Sequence, residues 1–469
     1  MRTQRFRMRF MRYTTAGMIG LILVSSAGVA VRAQQVKLPP VVRTTLGNGA
    51  EIVLMEYHRA PTFTLTAIFP GGTSGDAAGK SGTAELTADL LRRGTEKRTA
   101  TQIAEEIDFL GGSLGAGAGD DRYTVALDIL AKDTDAGLEL LNDIVRHPQF
   151  PDAELERERT LSLSGLQSLG EDPGAIASRV ANEITYGAHP YGRDATITSL
   201  KTITRADLLA CYKRDFVPNH LILVAVGDFN AEAMTEKLKA RFGDWQRGTE
   251  NTNKLEAPAE TKPRTILIDK PDATQTQVRW VRTAFPRSSP DYYTARLAST
   301  ILGGGFTSRL IDEIRVNRSL TYGISSSFGP HQFGGSFDVS TFTKIETTKA
   351  LLDATTAVLQ KTADKGFTDA ELKKTKGFLT GQFAVQVQTP EALAGVLADV
   401  AFYNLPPDYL STYLAKLNAV TLADVNRIAR TYFAPNKLAL VLVAPAAQVR
   451  LQLTGVGRIE TRPVASVGK

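Results

Sequence analysis

The chain repeats itself, and that most limits what it can fold into. Leu200, Thr204, Ala206, Asp207, Phe216, Pro218, Asn219, Leu221, Leu223, Val224 and Val226 recur, 217 residues later, as Leu417, Thr421, Ala423, Asp424, Phe433, Pro435, Asn436, Leu438, Leu440, Val441 and Val443. A second block, Phe150-Pro-Asp-Ala-Glu-Leu, returns at the same spacing as Phe367-Thr-Asp-Ala-Glu-Leu. Chance does not align two separate blocks at one offset. The chain is a duplication of a unit of roughly 210 residues, within the size of one domain.

Each copy carries the same local signals. Thr204 and Thr421 stand where a side-chain oxygen accepts a hydrogen bond from a free N–H of a helix's first turn. An amphipathic helix follows and must end before Pro218 or Pro435, whose ring cannot continue it. Next comes an apolar run, Leu221–Val226 or Leu438–Val443, suited to an inner strand. Thr368 to Glu371 has the capping-box pattern of another helix start. Arg43–Leu46 and Glu51–Met55 flank Asn48-Gly49 and predict a hairpin. Phe63–Phe69, Arg122–Ile129 and Gly335–Phe342 predict further strands. Helices are expected over Ala78–Arg93, Thr101–Leu110, Thr134–Val145 and Thr347–Ala363. The fold class is α+β: two duplicated domains, each a mostly antiparallel sheet packed with helices. The boundaries are 40–247 and 264–446, with a polar linker over 248–263 and a tail over 447–469.

The first 33 residues stand apart. Arg2, Arg5, Arg7, Arg9 and Arg12 precede an apolar run over Thr15–Ala30, and Val31-Arg-Ala33 ends it with small residues in the places a signal peptidase reads. The expectation is a secretory signal cut after Ala33 and a periplasmic or secreted protein, membrane-bound only if the signal is retained. The formal charge of +6 belongs to this segment, which holds six Arg and no acid, so the remainder is neutral. No nucleic-acid partner is indicated. The lone Cys211 permits no intrachain disulfide and reads as a small core residue.

The order of short motifs resembles the insulinase/pitrilysin/mitochondrial processing peptidase family of metallopeptidases. They are Leu46-Gly-Asn-Gly, Pro70-Gly-Gly-Thr-Ser, Gly82-Thr-Ala, Arg93-Gly-Thr95, Leu110-Gly-Gly-Ser, Asp152 to Arg159, His189-Pro-Tyr-Gly192, Leu302 to Leu310 and Arg315 to Ser325. The resemblance covers roughly residues 40–445 and implies two similar domains facing each other across a peptide-binding cleft.

Active members of that family carry His-x-x-Glu-His on a helix, two imidazoles on one face and a carboxylate to activate the zinc-bound water. The resemblance places Glu85, Ala88 and Asp89 at those positions, and Gly165 where the family has its third ligand, a Glu. Glu158 remains. Glu85, Asp89 and Glu158 could form an oxygen-ligand site for calcium or magnesium, or an acidic face paired with Arg92 or Arg93. No metal or other cofactor is expected in this chain. The second half keeps Arg315 and Tyr322, seven residues apart. By resemblance these two are the catalytic contribution, steadying the oxyanion of a scissile carbonyl. On residue pattern alone, Arg315 could equally pair with Asp312 or Glu313, and Tyr322 could be a strand core residue. The Gly303-Gly-Gly305 loop reads as a tight helix–helix connection. The resemblance therefore implies a subunit inactive alone, which assists a zinc-bearing homologous partner in hydrolysing unfolded peptides. The alternative is a non-catalytic scaffold or peptide-binding protein.

Overall fold

Asn48 and Gly49 close the first hairpin, β1 (Val41–Thr45) against β2 (Glu51–Glu56), with Thr45 opposite Glu51. The connection is a five-residue loop rather than a two-residue turn: Leu46 N–H donates to the Ala50 carbonyl at 2.8 Å, and Gly49 takes φ 97°. Asn48 has a second task. Its Nδ2 donates to the carbonyls of Phe242 (2.7 Å) and Trp245 (3.1 Å), far along the chain.

The computed structural model describes residues 38–249 and 255–468; the expected signal segment lies outside them. The other strands are β3 (Thr62–Pro70), β4 (Ser113–Ala118), β5 (Arg122–Leu130), β6 (Ile222–Gly227), β7 (Thr265–Asp269), β8 (Gln275–Ala284), β9 (Ile324–Pro330), β10 (Gly335–Lys344), β11 (Ala439–Ala444) and β12 (Ile459–Pro463). They form two six-stranded sheets, ordered β1-β2-β6-β3-β5-β4 and β12-β7-β11-β8-β10-β9. The orders match strand for strand, as a duplication requires. The exception is the first edge. It comes from the start of the first half (β1, antiparallel to β2) but from the end of the second (β12, parallel to β7). Residues 447–469 are therefore not only a tail, because they supply an edge strand. Within 248–263, residues 255–263 are docked: Glu260 pairs with Arg282 at 2.7 Å, and Thr261 N–H donates to the Thr283 hydroxyl.

The helices of the first half are α1 (Thr83–Leu90), α2 (Ala100–Phe109), α3 (Thr134–Arg146), α4 (Asp152–Leu169), α5 (Pro173–Tyr186), α6 (Ile197–Thr202), α7 (Arg205–Asp215) and α8 (Ala231–Phe242). Those of the second are α9 (Tyr292–Ser299), α10 (Thr348–Lys365), α11 (Asp369–Gln386), α12 (Pro390–Phe402), α13 (Tyr409–Ala419), α14 (Leu422–Tyr432) and the four-residue α15 (Ala446–Val449). The predicted capping residues act as caps: Thr204, Thr368 and Thr421 each accept from the third residue of their helix. The expected helix over Ala78–Arg93 is shorter. Gly79 and Gly82 take left-handed φ values of 78° and 100°, and α1 starts only after them. Asp76 receives the freed N–H groups of Gly82 (2.8 Å) and Ala84 (2.9 Å).

The two halves exchange a helix. α5, opened by Asp172 and Pro173, packs on β8 and β11 of the other half. Its counterpart α12, opened by Thr389 and Pro390, packs on β3 and β6. Ile176, Val180 and Ile184 of α5 are buried with Ile266, Ile268, Val441 and Val443. Each sheet thus buries one face against a helix from the other half, and the hydrophobic effect ties the halves together.

Candidate functional site

α1 shows its residues on different faces. Ala88 is fully buried, whereas Glu85 is open to water and Asp89 half-buried. Glu85 nevertheless sits in a walled space. Burial by surrounding protein, then the Asp89 and Asp194 carboxylates, raise its pKa, and Arg179 opposes them. Asp89 is raised by burial and then by Glu158. Glu158, on α4, is buried and in ionic contact with Arg93, Nε to Oε1 at 2.7 Å, with a geometry too bent for a hydrogen bond. A Cβ on Gly165 would meet only open space.

These residues do not fit zinc. No imidazole is present, and the position of the water-activating carboxylate is a buried methyl group. They do not make an oxygen-ligand site either. Among the described residues, no group of three or more His, Cys, Asp or Glu stands in metal-holding geometry. Glu158 is held by Arg93, the ion-pair arrangement foreseen as the alternative.

Arg315 lies in a wide helical turn, Ile311–Asn317, whose i to i+5 bonding follows a similar turn over Thr300–Gly304. Such turns concentrate at functional sites. The Arg315 guanidinium lies 4.9 Å from the centre of the Tyr322 ring, in cation–π range. Glu313 is occupied by Arg318 at 2.7 Å, and among the described residues Arg315 has no ion pair. Tyr322 precedes β9 rather than lying within it and is 78% exposed, so it is not a core residue. Arg315 also lines a pocket of about 400 Å³ with Phe306, Arg279, Ser325 and the first turns of α5, at Gly174 and Ala177.

The glycine loop does more than connect. A Cβ on Gly303 would fall 2.7 Å from the Ser326 backbone nitrogen, so only glycine permits this approach to β9. The loop leaves Phe306 85% exposed. Residue pattern did not single out Phe306; a bulky apolar residue directly after three glycines was the available signal.

A clasp between the halves also escaped the sequence reading. The β4–β5 turn meets the β9–β10 turn through Asp121, which accepts the Gln332 N–H at 2.8 Å and the Tyr191 hydroxyl. Phe333 N–H donates to the same tyrosine oxygen at 3.2 Å. Tyr191 belongs to the His189-Pro-Tyr-Gly motif, but nothing in its spacing names a partner 70 residues away.

Comparison with known proteins agrees with this geometry. Residues 52–198 match the family model described as Insulinase (Peptidase family M16), and residues 202–379 match Peptidase M16 inactive domain. An uncharacterized zinc protease of Mycobacterium tuberculosis is 26% identical over 83% of this chain and 90% of its own length. The non-peptidase homolog YmxG of Helicobacter pylori is 23% identical over 84% and 91%. A crystal structure of a peptidase M16 inactive domain from Pseudomonas fluorescens superposes with a TM-score of 0.81 at 29% identity, covering 87% of this chain and 98% of that one. Two sheets of matched order and the matches across both halves lead to one conclusion: the chain belongs to the peptidase M16 (insulinase) family, with residues 202–379 matching that family's inactive domain.

Proposed function

We propose that this chain is the non-catalytic subunit of a two-chain peptidase acting on unfolded peptides in the periplasm or outside the cell. The observation that carries the proposal is the division of the site. The positions that the resemblance assigns to zinc hold Glu85, Ala88, Asp89 and Gly165, whereas Arg315 lies against the exposed Tyr322 ring and, among the described residues, has no acidic partner. The metal-dependent step then belongs to a homologous, zinc-bearing partner. In this chain, Arg315 and Tyr322 donate hydrogen bonds to the peptide carbonyl as it gains negative charge, fixed donors aimed where charge develops.

Peptide binding has a physical basis in the sheet edges. Among the described residues, β4 pairs only with β5, and β9 only with β10. β4 is made of Ser, Leu, Gly and Ala, and β9 opens with Ile and three Ser. Small side chains let an extended peptide approach and add as a strand. The basic and apolar leader over residues 1–33 supports export.

A second reading is a peptide-binding or scaffold protein without any part in cleavage. The Helicobacter pylori relative, named a non-peptidase homolog, favours it. The experiment that separates the two mixes this chain with a zinc-bearing homologue from the same cell and follows cleavage of an unfolded peptide. The subunit reading predicts activity in the mixture, with a loss of roughly 10²–10³-fold in Arg315→Ala or Tyr322→Phe, the range for removing one oxyanion donor. Peptide binding that survives both substitutions, with no cleavage in any mixture, sinks it and leaves the scaffold reading.

A further inference from the structure

The two halves differ most where the first has α8. That helix starts when Ala231 N–H donates to Glu56, the last residue of β2, at 2.7 Å. It crosses the outer face of its sheet with Met234, Leu238 and Phe242 buried. Trp245 then packs beside it, its ring centre 6.1 Å from that of Phe69. The second half starts identically: Ala446 N–H donates to Asp269, the last residue of β7, at 2.9 Å. Val449 and Leu453 are buried in the first turns, like Met234 and Leu238. The helix then stops. Gly455 and Gly457 take left-handed φ values of 91° and 87°, and the chain turns away into β12.

Among the described residues, no helix continues past Leu453 here as α8 continues to Phe242. A groove of about 910 Å³ lies there, between α10 and the second sheet. Its floor is Trp280, Leu352, Leu438 and Leu440, all at least nine-tenths buried. Among the described residues, the unpaired charge at the rim is positive. Asp353 is paired with Lys349 and Glu460 with Arg462, each at 2.6 Å. Arg264 and Arg458 are exposed, and among the described residues neither has an ion pair.

We propose that this groove is a docking site for a helical segment of a partner protein, one that carries an aromatic residue flanked by acidic ones. The duplicated half points to a helical occupant, because there the same start runs on as the twelve-residue α8 with Phe242 buried at its end. An apolar floor takes the ring, an anchor type that dominates such contacts. The two guanidinium groups take the acids.

The probe is a fluorescein-labelled peptide of residues 230–247 carrying Lys239→Glu and Arg241→Glu, titrated with the whole mature chain and read by anisotropy. The expected result is micromolar binding, with weaker binding of the unsubstituted peptide. Two variants should each weaken binding at least tenfold: Thr356→Trp, which fills the groove from α10, and the exposed charge reversal Arg264→Glu with Arg458→Glu. The circular dichroism of both should be unchanged. Absence of micromolar binding, or equal binding by both variants, overturns the proposal. So does concentration-dependent self-association abolished by Thr356→Trp, which would make a second copy the occupant.

Discussion

Arg93 Nε lies 2.7 Å from Glu158 Oε1, and that contact ties α4 to the segment just after α1. A buried carboxylate is tolerated only with a partner, and here the partner is a guanidinium. Glu158→Ala should destabilise the protein by about 1–3 kcal/mol, the range for orphaning a partly exposed charge. Urea unfolding measures it. Metal content should not change, because Glu158 holds no metal.

Ile176 sits on α5 in the first half and is buried in the second. Ile176→Ala should cost about 2–4 kcal/mol from lost transfer energy and the cavity left behind. Because α5 and α12 are exchanged, calorimetry should show one unfolding transition, shifted down as a whole. Two separated transitions would mean that the exchanged helices do not couple the halves.

Asp76 gives the stability a pH dependence. Burial pushes its carboxyl up to about 7, against the two backbone N–H donors that it caps. A carboxyl whose folded pKa is raised binds more protons folded than unfolded. Its contribution is full below the ordinary carboxylate range and is lost as the pH rises towards 7. Asp76→Asn should flatten the stability profile between pH 4 and 7. A profile unchanged by the substitution would contradict this role.

Cys211 should be inert in the folded protein. It is buried against Tyr123, at 3.0 Å, and burial followed by the Asp215 carboxylate pushes the thiol up to about 11. Thiolate is the reactive form. Iodoacetamide at pH 8 should label Cys211 only after denaturation; labelling of the native protein at the denatured protein's rate would contradict this burial.

The sequence was most informative where one residue decides one local outcome. Thr204, Thr368 and Thr421 cap helices because their oxygens reach an N–H three residues on, a purely local bond. The apolar runs before Gly227 and Ala444 became inner strands for the same kind of reason. β4 was missed because Ser-Leu-Gly-Ala-Gly-Ala has no alternation of polarity, and β12 because its parallel pairing with β7 depends on a distant segment. The start of α1 was misjudged because two left-handed glycines, Gly79 and Gly82, interrupt an otherwise helical pattern. In the site, the absence of zinc ligands was legible once the family resemblance had placed Glu85, Ala88 and Asp89 at their positions. The Arg93–Glu158 pairing, the Asp121 clasp and the exposure of Phe306 were not, since each joins segments whose approach only the tertiary fold sets.

The central claim is that this chain holds no zinc and does not cut peptides by itself. The most direct test is the zinc content of the chain, purified without chelator and incubated with excess zinc, measured alongside hydrolysis of an unfolded peptide. The account predicts far less than one zinc per chain and no cleavage above background. One zinc per chain together with chelator-sensitive cleavage would contradict it, and would mean that Glu85, Asp89 and Glu158 bind metal in spite of Arg93.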